Sequence, residues 1–332
     1  MIFTKETHKS VFDGFILKDC AIQNSDRQMY LLVEDNDEKI KDGYLPEYLF
    51  LYTYAHKDEP SERYFFSTRT HLGQPKIDYS LLDEDIIGLD SSGQFYSEGM
   101  DGDRNEKDLP IELDGCDYAA VYNNVKTIGN SMYAIGDPRK LFKRLGVDDW
   151  IELSKDIPLP KVYANGEWED EFFGWNDADG FTEQDMYLVG GDGEVWHYDG
   201  SNFSQCDFPS NELLANVCCA GDGNVYVGGN LGRLWKGKGD KWELVSKREF
   251  SIDWKDIVWF DNRLFLGSDY GLWEFKDGEV ITAEVPAQVR SCSGALSICP
   301  ESKLLLTAGK NGASMYDGKE WKVLFNQFDL ED

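Results

Sequence analysis

Tyr187-Leu-Val-Gly-Gly191, followed by Trp196-His-Tyr-Asp-Gly200, is the stretch on which the reading of the fold turns. The same phrase returns as Tyr226-Val-Gly-Gly-Asn230 with Trp235 and Lys238-Gly239. It appears again as Phe265-Leu-Gly-Ser268 with Trp273 and Asp277-Gly278, and as Leu305-Leu-Thr-Ala-Gly309 with Met315-Tyr-Asp-Gly318. The closing glycines Gly200, Gly239, Gly278 and Gly318 stand 39, 39 and 40 residues apart. A fixed period near 40 residues marks a repeat architecture, each unit burying its apolar face against the next.

Within a unit, the alternation in Val225-Tyr-Val227, Leu264-Phe-Leu266 and Leu304-Leu-Leu306 predicts short strands, whose side chains point to opposite faces with period two. The glycines that follow end each strand in a conformation that β-carbons resist. A second strand carries the Trp or Met, and Asp-Gly or Gly-Asp makes the hairpin turn into a third, such as Lys241 to Val245 or Glu320 to Leu324. Another apolar strand precedes each phrase, at Ala215 to Cys219, Asp256 to Phe260 and Ala295 to Cys299. Four short antiparallel strands per unit make one blade of an all-β propeller.

The phrase resembles those of bacterial β-propellers related to photosystem assembly factors and sensor-type propellers, over roughly residues 119 to 325. That resemblance implies a fold more than a function, because propellers host many unrelated activities. No unit carries the Gly-His start or Trp-Asp close of WD repeats.

Five blades are recognisable in 119–332, near 119–153, 172–206, 213–247, 251–284 and 290–325. Residues 1–118 hold weaker strand patterns, at Val11 to Leu17, Gln28 to Val33, Tyr48 to Tyr54, Tyr64 to Thr70, Ile86 to Leu89 and Gln94 to Tyr96. Two diverged N-terminal blades fit that length and give seven in one closed domain. Six or eight remain open, since the N-terminal strand could instead complete the last blade.

The chain has 332 residues, and a propeller of that size stays one domain because it grows by radial repetition. No apolar run approaches the 20 or so residues of a membrane span, and the first residues show no leader pattern. Seven cysteines without C-x-x-C spacing read as reduced thiols, and the expected location is the cytoplasm. Sixty-two acids against 33 bases leave a formal charge of −29. Nucleic acid and anionic membrane both require a positive face, so neither is the expected ligand. A cationic partner is favoured, with bare solubility as the competing explanation.

The spacing breaks once. Gly136 to Gly190 is 54 residues where Gly190 to Gly229 is 39, so about 15 extra residues lie within Ser154 to Asp185. There, Glu167 to Asp185 holds eight acids and no Lys or Arg, along with Trp168, Phe172, Phe173 and Trp175. Repeat insertions map to loops, often on the binding face. Acids interleaved with large aromatics are the pattern of a rim around apolar anchors where a basic protein docks. The residues expected to bind a partner are Glu167, Trp168, Glu169, Asp170, Glu171, Trp175, Asp177 and Asp179. Asp101 and Asp103 join them from a second acidic run, Glu98 to Asp117, which otherwise reads as a solvated loop. The competing reading of Phe172 to Trp175 is the buried inner strand of the next blade.

Chemistry-bearing patterns are scarce. The histidines His8, His56, His71 and His197 show no ligand spacing, and no G-x-S-x-G, P-loop or H-E-x-x-H occurs. Asn176-Asp-Ala-Asp-Gly180 fails as a calcium loop, with Trp175 at the first ligand position and Met186 at the twelfth. Gly190-Gly-Asp-Gly193 reads as turn chemistry rather than a phosphate cradle. No catalytic residue, metal or cofactor is expected.

A small, acidic, non-enzymatic chain of this kind resembles the immunity proteins of polymorphic toxins. The expected function is therefore a protein-binding propeller, monomeric until it meets and neutralises a basic toxin domain. An assembly scaffold is the first alternative and a carbohydrate-binding or hydrolytic propeller the second.

Overall fold

The computed structural model describes residues 2–36, 45–99, 102–113, 119–158, 174–246 and 252–329. The chain winds into seven four-stranded antiparallel sheets, blades 1 to 7, each made of four strands consecutive in sequence. The innermost strands are Phe15–Ile22, Lys76–Ser80, Val121–Ile128, Trp175–Thr182, Leu214–Cys219, Asp256–Phe260 and Ala295–Cys299. Each packs beside the next around a central channel, and the inner strand of blade 7 meets that of blade 1. The result is a closed seven-bladed β-propeller.

Burial explains why the second strand of each blade reads as an unbroken apolar run. In Asp185–Gly190, Met186 and Leu188 pack toward blade 3 against Tyr133 and Ile135, while Tyr187 and Val189 pack toward blade 5 against Val217 and Val227. Both faces are covered, so the strand is apolar on both, as in any sheet sandwiched between layers. Removing such side chains from water at about 25 cal/mol per Å2 is the main force holding blade to blade. Gly190 ends its strand because a β-carbon there would collide with the Gly174 carbonyl of the incoming inner strand.

The ring closes differently from the open alternative in the sequence. The N-terminal strand Phe15–Ile22 is the inner strand of blade 1, and blade 7 is complete within 295–326. Side chains make the closure. The helix Lys5–Phe12 lays Phe12 and His8 against Phe325, with Phe3 and Tyr30 edge-on to the same ring at 5.2 and 5.3 Å. The amide of Ile22 donates to Ser297 Oγ at 3.2 Å.

The six described cysteines carry no disulfide. Cys218 and Cys219 face opposite sides of their strand, packing toward blade 6 and blade 4 respectively.

Candidate functional site: the channel and the two ends of the ring

Every inner strand carries a short polar residue that ties it to the next blade. Asp19 accepts from the Ile77 amide at 3.3 Å, and Asp78 from the Thr127 amide at 2.7 Å. Asn124 Nδ2 donates to Asp177 Oδ1 at 2.9 Å, and Asp177 and Asp179 accept from the Val217 and Cys219 amides at 2.9 and 2.7 Å. Asn216 Nδ2 donates to the Lys255 carbonyl at 2.7 Å, and Asp256 accepts from the Leu296 amide at 2.9 Å. With Ser297 the circuit returns to blade 1. Inner-strand edge amides would otherwise be unpaired, so these bonds satisfy donors as well as joining blades.

The channel concentrates charge. Lys126 Nζ lies 3.2 Å from Asp177 Oδ2. Burial would lower the Lys126 ammonium, but Asp177 and Asp179 more than offset it and hold it above its ordinary value. Burial pushes the Asp78 carboxyl up to about 7 against the pull of two amide donors, Thr127 and Tyr79. Asp256 is likewise pushed up to about 7 by burial and then by the neighbouring Asp19. The thiols of Cys218 and Cys219 are raised well above the ordinary range by burial and by Asp179, which makes them poor nucleophiles. Among the described residues no three His, Cys, Asp or Glu side chains converge as metal ligands. The lower channel is a cavity of about 480 Å3, and its mouth, of about 340 Å3, is lined by Lys18, Lys76, Lys255, Asp19 and Asp256.

These facts correct part of the sequence-based site. Trp175 is fully buried, stacked on Phe203 with ring centroids 5.7 Å apart, because it begins the inner strand of blade 4. Asp177 is buried and Asp179 half-buried, and both spend their oxygens on the channel circuit. None of the three presents an anchor to a partner. Glu167, Trp168, Glu169, Asp170, Glu171 and Asp101 lie outside the described residues. Asp103 sits opposite Glu98 in the outer strand of blade 2, its side chain also outside them. The second acidic run is not simply a solvated loop either. Glu106 is buried and, with Asp83, clamps the guanidinium of Arg144 through four hydrogen bonds of 2.6 to 3.0 Å. His197 Nε2 lies 2.8 Å from Asp185 Oδ1 across neighbouring strands of blade 4, a structural contact within that blade.

The two ends of the ring are unlike. One end consists of turns inside blades, among them 129–130, 183–184, 261–262 and 277–278. The other carries the connectors between blades, among the described residues 70–75, 206–213 and 283–294. Among the described residues, the exposed large apolar side chains of the connector end are Leu45, Ile111, Leu213, Leu231, Tyr270 and Phe328. The short-turn end has Leu82, Leu145 and Val147, with Phe65, Phe66 and Ile151 on outer strands that begin there. No pattern in the sequence singled out Leu231 or Tyr270. The available signal was positional, since each occupies the turn where blade 4 has Asp192.

The fold and its faces define the class: a seven-bladed propeller with a stapled channel and one elaborated end. No protein-family model matches the chain. It is 28% identical over 238 residues to the immune protein Tsi7 of Pseudomonas aeruginosa, covering 72% of this chain and 75% of that one. Among solved structures it is similar to the WD40 β-propeller domain of Doa1, with TM-score 0.56 and 11% identity over 89% of this chain and 90% of that one. U3-55K gives TM-score 0.55 at 8% identity, with 89% of each chain covered. These structural likenesses bear on fold alone.

Proposed function

We propose that this chain is a non-enzymatic, protein-binding propeller that neutralises a basic toxin domain as its immunity protein. The observation that carries the reading is the similarity to an immune protein along most of both chains. The charge of −29 supports it from an independent direction. A toxin that acts on an anionic substrate presents a positive groove, and an acidic protein can occupy that groove in the substrate's place. Long-range attraction raises the encounter rate by roughly 10- to 1,000-fold at low salt, and desolvated apolar contacts then set the residence time. The protein works in the cytoplasm as a monomer until the toxin arrives, and the segment Glu167 to Glu171, with Asp101 and Asp103, contributes to its acidic surface.

The test is co-expression with the toxin-domain protein encoded beside its gene, followed by binding kinetics of the purified pair. Protection of the cells, and an association rate that falls steeply between about 50 and 200 mM salt, are the expected results. A chain that neither protects nor binds would sink the proposal. Capture of a housekeeping protein from unstressed cells instead would point to a scaffold. Charge reversal of Glu169, Asp170 and Glu171 together should slow association if that segment contributes.

A further inference from the structure

We propose that the partner docks off the channel axis, on the connector end of blades 4 to 6, with Leu231 and Tyr270 as its apolar anchors. The inference rests on the reading of the partner as a basic protein and adds where it sits.

Leu231 is the first observation. It lies in the Asn230–Gly232 turn of blade 5 with φ +56°, in the left-handed region that a side chain with a β-carbon resists. Blade 4 places Asp192 at the same position with φ +52°. Asp tolerates that conformation because its short polar side chain can bond locally; leucine has no such compensation. The turn is nevertheless held, with the Leu231 amide donating to Asp253 Oδ1 at 3.1 Å, and the side chain is 58% exposed. An apolar side chain kept in a strained turn and aimed at solvent has no role in the core. Backbone strain of this kind clusters at functional sites.

Tyr270 is the second observation, one blade on and without the left-handed backbone. It occupies the corresponding turn of blade 6, is 77% exposed, and has its amide anchored on Ser268 Oγ at 3.0 Å. Tyr and other large side chains that are free in the monomer and flanked by polar groups are the usual anchors of protein interfaces.

Polar contacts join the two turns into one surface. The Gly193 amide beside Asp192 donates to the Glu212 carbonyl at 2.8 Å. Glu212 meets Arg233 at 3.5 Å, next to the Leu231 turn, and Leu213 follows it, exposed. Asp253 then leads to Lys255, which pairs with Asp269 at 2.5 Å beside Tyr270. The acids Asp192, Glu212, Asp253 and Asp269 outnumber Arg233 and Lys255, so the rim suits lysine and arginine side chains. The channel mouth suits them less, because Lys18 and Lys76 stand there.

The opposite end is acidic too, and its carboxylates are engaged as those of Glu212, Asp253 and Asp269 are. Asp199 accepts from the Ser201 and Asn202 amides, Asp317 from those of Lys319 and Glu320, and Asp222 from the Asn224 amide and the Tyr226 hydroxyl. They close turns that carry no exposed large apolar side chain.

The test compares two double variants of the full chain for binding to an inactive form of the toxin-domain protein encoded beside its gene. Leu231→Asp with Tyr270→Ala removes the anchors; Leu82→Asp with Val147→Asp alters the other end. The anchor variant should bind at least ~30-fold more weakly and the control within ~3-fold of the unaltered chain. Melting curves check folding, and Leu231→Gly with Tyr270→Ala replaces the anchor variant if aspartate disturbs the turn. Unchanged binding by the anchor variants, or a loss confined to the control, overturns the proposal and leaves the immunity reading standing. Absence of binding by the unaltered chain overturns both.

Discussion

The ring's two ends are made by the same chain under the same repeat, yet they have diverged. At the short-turn end, Asp and Gly recur because hairpins need left-handed backbone, as at Asp277 with φ +53° and Gly278 with φ +82°. Acidity there is turn chemistry. At the connector end the same left-handed position holds Asp192 in one blade and Leu231 in the next, so conformation no longer dictates the residue. A local rule broken without local compensation is expected where function, rather than folding, selects the side chain.

The largest effect should come from the buried ion cluster near the short-turn end. Arg144→Met would strand Asp83 and Glu106 without their cation, and breaking such a pair typically costs about 3–5 kcal/mol. Urea unfolding should show that loss, while partner affinity per folded molecule stays unchanged. A parallel fall in affinity would mean that the two ends are coupled through the blades.

The channel that joins the ends should make stability depend on pH. Asp78 and Asp256 have folded pKa values near 7, above the ordinary carboxylate value of the unfolded chain. The folded state therefore holds more protons between about pH 4 and 7, and this contribution to stability is lost as pH rises through that window. Around Asp78 stand Lys126 and Asp19, and around Asp256 stand Asp19, Lys76 and Lys126, all acting on the same two groups. Asp78→Asn should flatten the melting temperature across that range. A profile as steep as the unaltered protein's would assign the dependence elsewhere.

A smaller change with two opposite signs would sharpen the contrast most. Leu231→Gly removes a left-handed penalty of about 1 kcal/mol, so the melting point should rise or hold despite glycine's added chain entropy. Binding should weaken at the same time. Simultaneous gain in both would deny the turn its docking role. Smallest of all, Glu59→Gln on the exposed short-turn side should move stability by less than about 0.5 kcal/mol and leave the affinity where it was.

Much of the ring was legible in advance. Leu264-Phe-Leu266 announces a strand covered on both faces, and Gly190 marks where the backbone entering its own blade's inner strand comes close. The acidic site was read less well, and Trp175 shows why. In sequence it stands beside Glu169 to Glu171 as one more aromatic among acids, whereas in space it starts an inner strand and leaves the surface. Asp177 and Asp179 carry the same lesson. A hint did exist: Asn176 and Asn216 are 40 residues apart and both donate to the carbonyl at the head of the next inner strand, Leu214 and Lys255. Glu106 gave no hint, since its partner Arg144 lies 38 residues away.

By itself the sequence determined the period, the strands and the antiparallel blade, because hydrophobic alternation and glycine turns are local and repeat with the chain. It also set the overall charge. Tertiary structure alone decided which carboxylates are spent inside the channel, which turn projects an apolar side chain, and how the ring shuts on Phe325. Those outcomes depend on what faces each residue across a blade boundary, and that neighbour is some 40 residues distant or, at the closing seam, nearly the whole chain away.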